Sequence, residues 1–106
     1  MLKITHPITE AELEVANQDF PDEMTWTEAI RACSELGSGW RLPTKEELQE
    51  MYEKLHEKGQ GNFKDVYWSS TADSSGYAWA FNFYDDSYLY CPYKDGSYYV
   101  RAIRAF

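Results

Sequence analysis

The sequence predicts an α+β domain: two short strands, two helices, then several strands running to the C-terminus. Two observations carry this. Thr25 with Glu28, and Thr44 with Glu47, form two capping boxes, each opening a run of apolar residues at helical spacing. Short segments of alternating apolar and polar residues stand before the first helix and after the second.

Leu2 to Thr5 predicts a first strand, interrupted by Pro7, and Leu13 and Val15 alternate with Glu12 and Glu14 as a second. Asn17 to Glu23 carries Asn, Asp and Pro and reads as a loop. The Thr25 cap starts a helix whose apolar stripe is Trp26, Ala29, Ile30, Cys33 and Leu36, with Gly37 as its stop. GSGWRLPT makes the connection to the Thr44 cap. Leu48, Met51, Tyr52 and Leu55 mark the inner face of the second helix, which ends near Gly59. Val66 to Ser70 and Ala78 to Phe83 are strand candidates, the latter with Trp79, Phe81 and Phe83 on one face. A weak strand follows around Tyr88 to Tyr90, and Tyr98 to Ala105 predicts the last one.

The chain of 106 residues fits one domain. Its net charge of −8 disfavours nucleic acid and anionic membrane as partners, because the bulk electrostatic term opposes both. No apolar h-region opens the chain and no apolar run reaches the length of a membrane span, so the expectation is no membrane insertion. A cytoplasmic location, or a place in a phage or surface assembly, fits that reading. Cys33 lies on the first helical stripe and reads as a small core residue. Cys91 stands in a different context. Two free thiols are expected, a long-range disulfide being the other arrangement. His6 and His56 are isolated, with His56 read as a solvated helix-end residue, and they suggest neither a metal nor a catalytic site.

MTWTEAIRAC, WRLPTKEEL at 40–48, YWSST at 67–71, AW at 78–79 and the terminal YYVRAIRAF together resemble the DUF1566 family from about Met24 onward. The resemblance implies a C-type-lectin-like fold, shared with formylglycine-generating sulfatase modifiers. Two helices would pack on small antiparallel sheets, with the N- and C-terminal strands brought together. Trp40, Trp68 and Trp79 read as core anchors, and Arg41, Arg101 and Arg104 as partners for carboxylates or backbone carbonyls. The sulfatase-modifying relatives bind copper through paired thiols, and Cys91 is alone in the distal half. Calcium-dependent lectin relatives use EPN-, QPD- or WND-type runs, which this chain lacks; Asp85, Asp86 and Asp95 are weak calcium candidates. The chain is therefore read as non-enzymatic, without a cofactor.

Residues 80–99, AFNFYDDSYLYCPYKDGSYY, hold no Gln, Glu, Met or Trp and one Lys, Lys94, whereas those five types occur 24 times across residues 1–66. The other 19 residues of the stretch all have codons ending in a pyrimidine, reached by changing the first two bases of an Asn codon. That alphabet is expected of adenine-directed mutagenesis, and the segment resembles the variable region of diversity-generating retroelement proteins of gut bacteria and phage. Strands and turns are themselves rich in Tyr, Asp, Ser and Gly, which is the competing origin of the bias. Tyr is a rigid amphipathic contact residue and Ser, Gly and Asp add adaptable hydrogen bonds, as in antibody paratopes. The expected ligand-binding residues are Ala80, Phe81, Tyr84, Asp85, Ser87, Tyr88, Tyr90, Cys91, Tyr93, Asp95, Ser97 and Tyr98, presented to a protein or surface glycan. The alternatives are a fixed structural domain of a larger cell-surface or phage assembly, and a metal-dependent lectin or oxidase on the same fold.

Overall fold

The computed structural model describes residues 1–84 and 89–106, with Tyr90 described in its backbone alone. Both helices begin as the sequence requires. Thr25 accepts a hydrogen bond from the Glu28 amide and Glu28 accepts one from the Thr25 amide at 2.9 Å, opening α1, Trp26–Glu35. Thr44 and Glu47 repeat the arrangement at the start of α2, Lys45–Lys54. Each box satisfies amides that the first turn leaves unpaired. Gly37, at φ +72°, follows the end of α1, and α2 runs into a 3₁₀ turn, His56–Lys58, that stops at Gly59 in the left-handed region.

Two three-stranded antiparallel sheets complete the architecture. β1, Leu2–Thr5, pairs with β2, Glu12–Val15, which pairs with β6, Ile103–Ala105. The two ends of the chain thus meet in one sheet, with β2 between the first strand and the last. β3, Val66–Ala72, pairs with β4, Ala78–Asn82, and β4 with β5, Leu89–Tyr90. The β3–β4 register shifts between Trp68 and Ala72. The buried Ser69 hydroxyl fills that irregularity, donating to the Trp79 carbonyl at 2.7 Å and accepting from the Thr71 amide.

The β3–β4 pair separates two apolar clusters, following the period-two alternation of its strands. On one side Tyr67, Phe81 and Phe83 meet Leu48 and Met51 of α2 and Leu55 at its C-cap, with Ile4, Leu13, Val15 and Ile103 of the other sheet. On the other side Val66, Trp68, Ala78 and Ala80 meet Ala29 and Cys33 of α1, with Leu42, Val100 and Ala102.

Four sequence expectations need correction. The apolar stripe of α1 is narrower than its spacing predicts: Ala29 and Cys33 are buried, but Ile30 is 38% and Leu36 50% exposed. Leu36 caps the helix end, and Ile30 lies about 100° around the helix from Ala29. The long last strand is broken, because residues 98–102 hydrogen-bond to several neighbours. Tyr98 pairs with Met24, the Val100 and Ala102 carbonyls accept from the Phe20 and Ala16 amides, and Tyr99 bridges to Tyr67. His56 is not simply solvated, since its ring packs against Tyr52, Phe63 and Phe83. His6 is not isolated: Nδ1 accepts from the Ile8 and Thr9 amides, and Nε2 lies 3.8 Å from a Glu47 carboxylate oxygen.

Three of the four arginines, Arg41, Arg101 and Arg104, hold the frame together. Buried Arg101 donates to Asp19 Oδ1 at 2.7 Å, to the Ala16 carbonyl and to the Gly61 carbonyl, and lies over the Phe63 ring. The Tyr67 hydroxyl donates to the other Asp19 oxygen at 2.9 Å. Arg41 grips the buried Glu47 carboxylate with both Nη atoms, at 2.7 and 2.8 Å. Arg104 reaches Glu14 at 2.9 Å and covers Trp40.

Candidate binding surface

Two exposed aromatic residues, Tyr77 and Tyr93, meet where the β3–β4 connection faces residues 91–97. The Tyr77 and Tyr93 rings stack with centroids 4.6 Å apart, and their backbones form an antiparallel bridge. That bridge is reinforced by hydrogen bonds from the Lys94 amide to the Gly76 carbonyl and from the Ala78 amide to the Pro92 carbonyl. The Lys94 ammonium lies 4.2 Å from the Trp26 ring centroid, and Trp26 is pinned through its indole N–H to the Ser69 carbonyl. The Lys45 ammonium covers Trp79 at 4.7 Å. Two half-buried indoles, each under a lysine, thus stand at the border of a tyrosine stack.

The expected contact residues divide clearly. Tyr84 is 81% and Tyr93 63% exposed; Asp95 and Ser97 are exposed and Cys91 half-buried. Ala80 and Phe81 do not join them. β4 is the central strand of its sheet with a cluster on each face, so Ala80 is sealed beneath the α1 cluster and Phe81 within the α2 cluster. Tyr98 is half-buried, edge-on to Trp68 at 5.0 Å. Asp85, Ser87 and Tyr88 lie outside the described residues, as do Asp86 and the side chain of Tyr90. The framework on either side is buried at Ala78 and from Val100 to Ile103, whereas Phe106 is 61% exposed.

Sequence reasoning missed the border of this surface. Tyr77 precedes the AW motif and carries no local signal, while Trp79 has the alternation of a core-facing strand residue. Lys45 and Trp26 lie far from residues 80–99 in sequence, and only the packing of both helix starts against β3 and the 91–97 segment brings them here. The aromatic count of 17% was the available signal.

The surface chemistry suits recognition. Partial burial, and then the nearby Asp73 carboxylate, push the Cys91 thiol up, with Lys45 opposing; a thiol held protonated is a weak nucleophile. The hydrogen bond with the neighbouring Tyr93 raises the Tyr77 phenol, which remains a neutral donor at ordinary pH. Cys33 is buried in the α1 cluster, where desolvation pushes its thiol up to about 12. Among the described residues no three His, Cys, Asp or Glu side chains gather in a metal-binding group.

Residues 9–104 match the Lcl C-terminal domain family. The chain belongs to that family. The matched stretch takes in both helices, the β3–β4–β5 sheet and the whole aromatic surface, and leaves β1 outside. No curated protein is significantly similar to the chain. Membership in the Lcl C-terminal domain family places Trp26, Tyr77, Trp79 and Tyr93 within the family's own domain, not in an appended segment.

Proposed function

We propose that this Lcl C-terminal domain is a non-enzymatic ligand-binding module on a C-type-lectin-like scaffold, presenting the surface around Tyr77, Tyr84 and Tyr93 to a protein ligand. One observation carries the reading: the exposed Tyr77 and Tyr93 lie together beside the exposed Asp95 and Ser97, ahead of the buried segment from Val100 to Ile103, and Tyr84 is exposed beyond the other end of β4. A cluster of this kind on a surface needs a partner to account for it. Its shape favours a protein over a small molecule or a short glycan. Among the described residues, the five hollows found are lined by none of Tyr77, Tyr84 and Tyr93, and small-ligand sites are concave. The separation of Cys33, sealed in the core, from Cys91 on the surface speaks against a paired-thiol oxidase.

The restricted alphabet of residues 80–99 supports a further step, that this is a variable protein of a diversity-generating retroelement. Among the described residues of this stretch Tyr84, Tyr93, Asp95 and Ser97 are exposed, whereas Ala80, Phe81 and Phe83 are buried in the core clusters and the others are half-buried. A reverse-transcriptase gene beside an Asn-rich near-copy of the 3′ end of the coding sequence is the expected genetic context; sister sequences uniform across 80–99 would sink this step.

The binding reading is tested by presenting the immobilised domain to panels of surface proteins and of glycans, followed by Tyr93→Ser and Tyr84→Ser. The expected result is a protein ligand whose binding weakens by about tenfold or more with each change, as for contact-surface tyrosines, with the melting temperature nearly unchanged. Binding that survives both changes would overturn it, and a glycan ligand would overturn the choice of protein.

A further inference from the structure

A second surface lies along α1, away from the tyrosine stack. Residues 16–24 form its opposite wall. This segment is strapped to the C-terminal segment by hydrogen bonds from the Ala16, Phe20 and Met24 amides to the Ala102, Val100 and Tyr98 carbonyls, at 2.9, 3.0 and 2.9 Å. Asp19 adds its ion pair to Arg101. The wall is held before any partner arrives, which lowers the ordering cost of binding.

Between this wall and α1 run two adjoining hollows. One, of about 200 Å³, is apolar and lined by Ala16, Phe20, Pro21, Leu36 and Ala102, with Gln18 and Asp19 at its margin. The next, of about 360 Å³, is lined by Asp22, Glu23, Glu28 and Glu35, with Arg31 as its one cation and Met24 and Ala32 as its apolar floor. Consecutive residues on both walls, Pro21 to Asp22 and Leu36 to Glu35, pass from one hollow to the other. The helical spacing predicts Leu36 to be a core residue, yet it is half exposed and lines the apolar end. An apolar well beside four carboxylates and one arginine, on a chain of net charge −8, is complementary to one kind of partner.

We infer that the groove between α1 and residues 16–24 docks a cationic segment of another protein, seating one apolar side chain against Leu36 and Phe20 and placing Lys or Arg against Asp22, Glu23 and Glu35. The inference is independent of the tyrosine surface, so the domain has two faces for two partners. The apolar well gives affinity and the carboxylate rim sets orientation and charge selectivity.

The test uses the whole chain, isotope-labelled for amide NMR, and a blocked Gly/Ser peptide carrying one leucine flanked by lysines. Saturable shifts are expected at Phe20, Asp22, Glu23 and from Ala32 to Leu36, weakening as salt is raised. A probe with serine for leucine, or with glutamate for lysine, is expected to lose them. Asp22→Lys with Glu35→Lys weakens binding by about tenfold or more. Leu36→Asp abolishes it while leaving the spectrum of the rest of the domain in place; Leu36→Ala is the milder variant should that one unfold. Three results would overturn the proposal: shifts centred on the carboxylates of α2, no saturable shifts at low salt, or groove shifts that follow protein concentration without the probe, which would assign the face to a second copy of the chain.

Discussion

Replacing Arg101 by lysine keeps the positive charge and removes the guanidinium, which isolates what the geometry of that group contributes. Arg101 is 1% exposed and makes three hydrogen bonds in three directions, to Asp19, to the Ala16 carbonyl and to the Gly61 carbonyl, at 2.7, 3.0 and 2.7 Å. A lysine ammonium is a compact donor that can stay with Asp19 but cannot span both carbonyls. Each buried acceptor left without its donor costs about 1–3 kcal/mol, so the change is expected to cost about 3 kcal/mol. Arg101→Met, which leaves Asp19 buried without its cation, is expected to cost about 3–5 kcal/mol. The control is Arg104→Lys, three residues away in the same VRAIRAF motif. Arg104 pairs with Glu14 at a half-exposed site, where the pair contributes about 1 kcal/mol or less. Urea unfolding followed by tryptophan fluorescence measures all three, with equal m-values as the condition for comparison. Against a total of about 5–15 kcal/mol, the Arg101 changes are large fractions and the Arg104 change a small one. Equal losses at the two arginines, or a loss below about 1 kcal/mol for Arg101→Lys, would refute the claim that this guanidinium ties three chain segments together.

Three further outcomes follow from the packing. Burial by itself raises the Glu47 carboxyl, but the two Arg41 hydrogen bonds and the Thr44 amide outweigh it and hold it below its ordinary value of 4.5. Its contribution to stability is therefore present in full above about pH 4.5 and lost as pH falls through the folded value; stability of Glu47→Gln measured against pH should show a flatter acid limb than the parent. Maleimide is expected to label Cys91 in the folded protein and Cys33 only in urea, read by mass spectrometry; simultaneous labelling would contradict the burial of Cys33. Gly61→Ala places a methyl 2.3 Å from a Phe63 ring carbon at φ +92°, and should lower stability by about 2 kcal/mol or more. Gly59→Ala, at φ +74° with open space around the added methyl, should cost only about 1 kcal/mol, both changes being read by urea unfolding.

The local chemistry was legible from residue order. Thr25–Glu28 and Thr44–Glu47 cap their helices because a capping box is closed within four residues and needs no distant partner. The first two strands, the second helix face and the burial of Cys33 follow from periodicity in the same way. The pairing of Arg41, Arg101 and Arg104 with carboxylates was also readable, since an acidic chain offers many partners and a guanidinium demands a forked one. Which carboxylate each one took was not.

What tertiary structure decided is where an element runs out of neighbours. Leu36 has the spacing of a core residue, but it caps the end of α1 and lines a hollow, so it stays half exposed. Ala80 and Phe81 have the alphabet of a display segment, but they sit on a central strand covered on both faces. Residues 98–102 alternate like a strand, yet their backbone groups are divided among Ala16, Phe20, Met24, Val66 and Trp68, so no single ladder forms. The sequence by itself determined the two capped helices and the α+β order, because each is encoded within a few consecutive residues. The border of the candidate binding surface, where Trp26, Lys45 and Tyr77 join Tyr93, was decided only by packing, because hydrogen bonds and ring contacts between residues far apart in the chain leave no local periodicity to read.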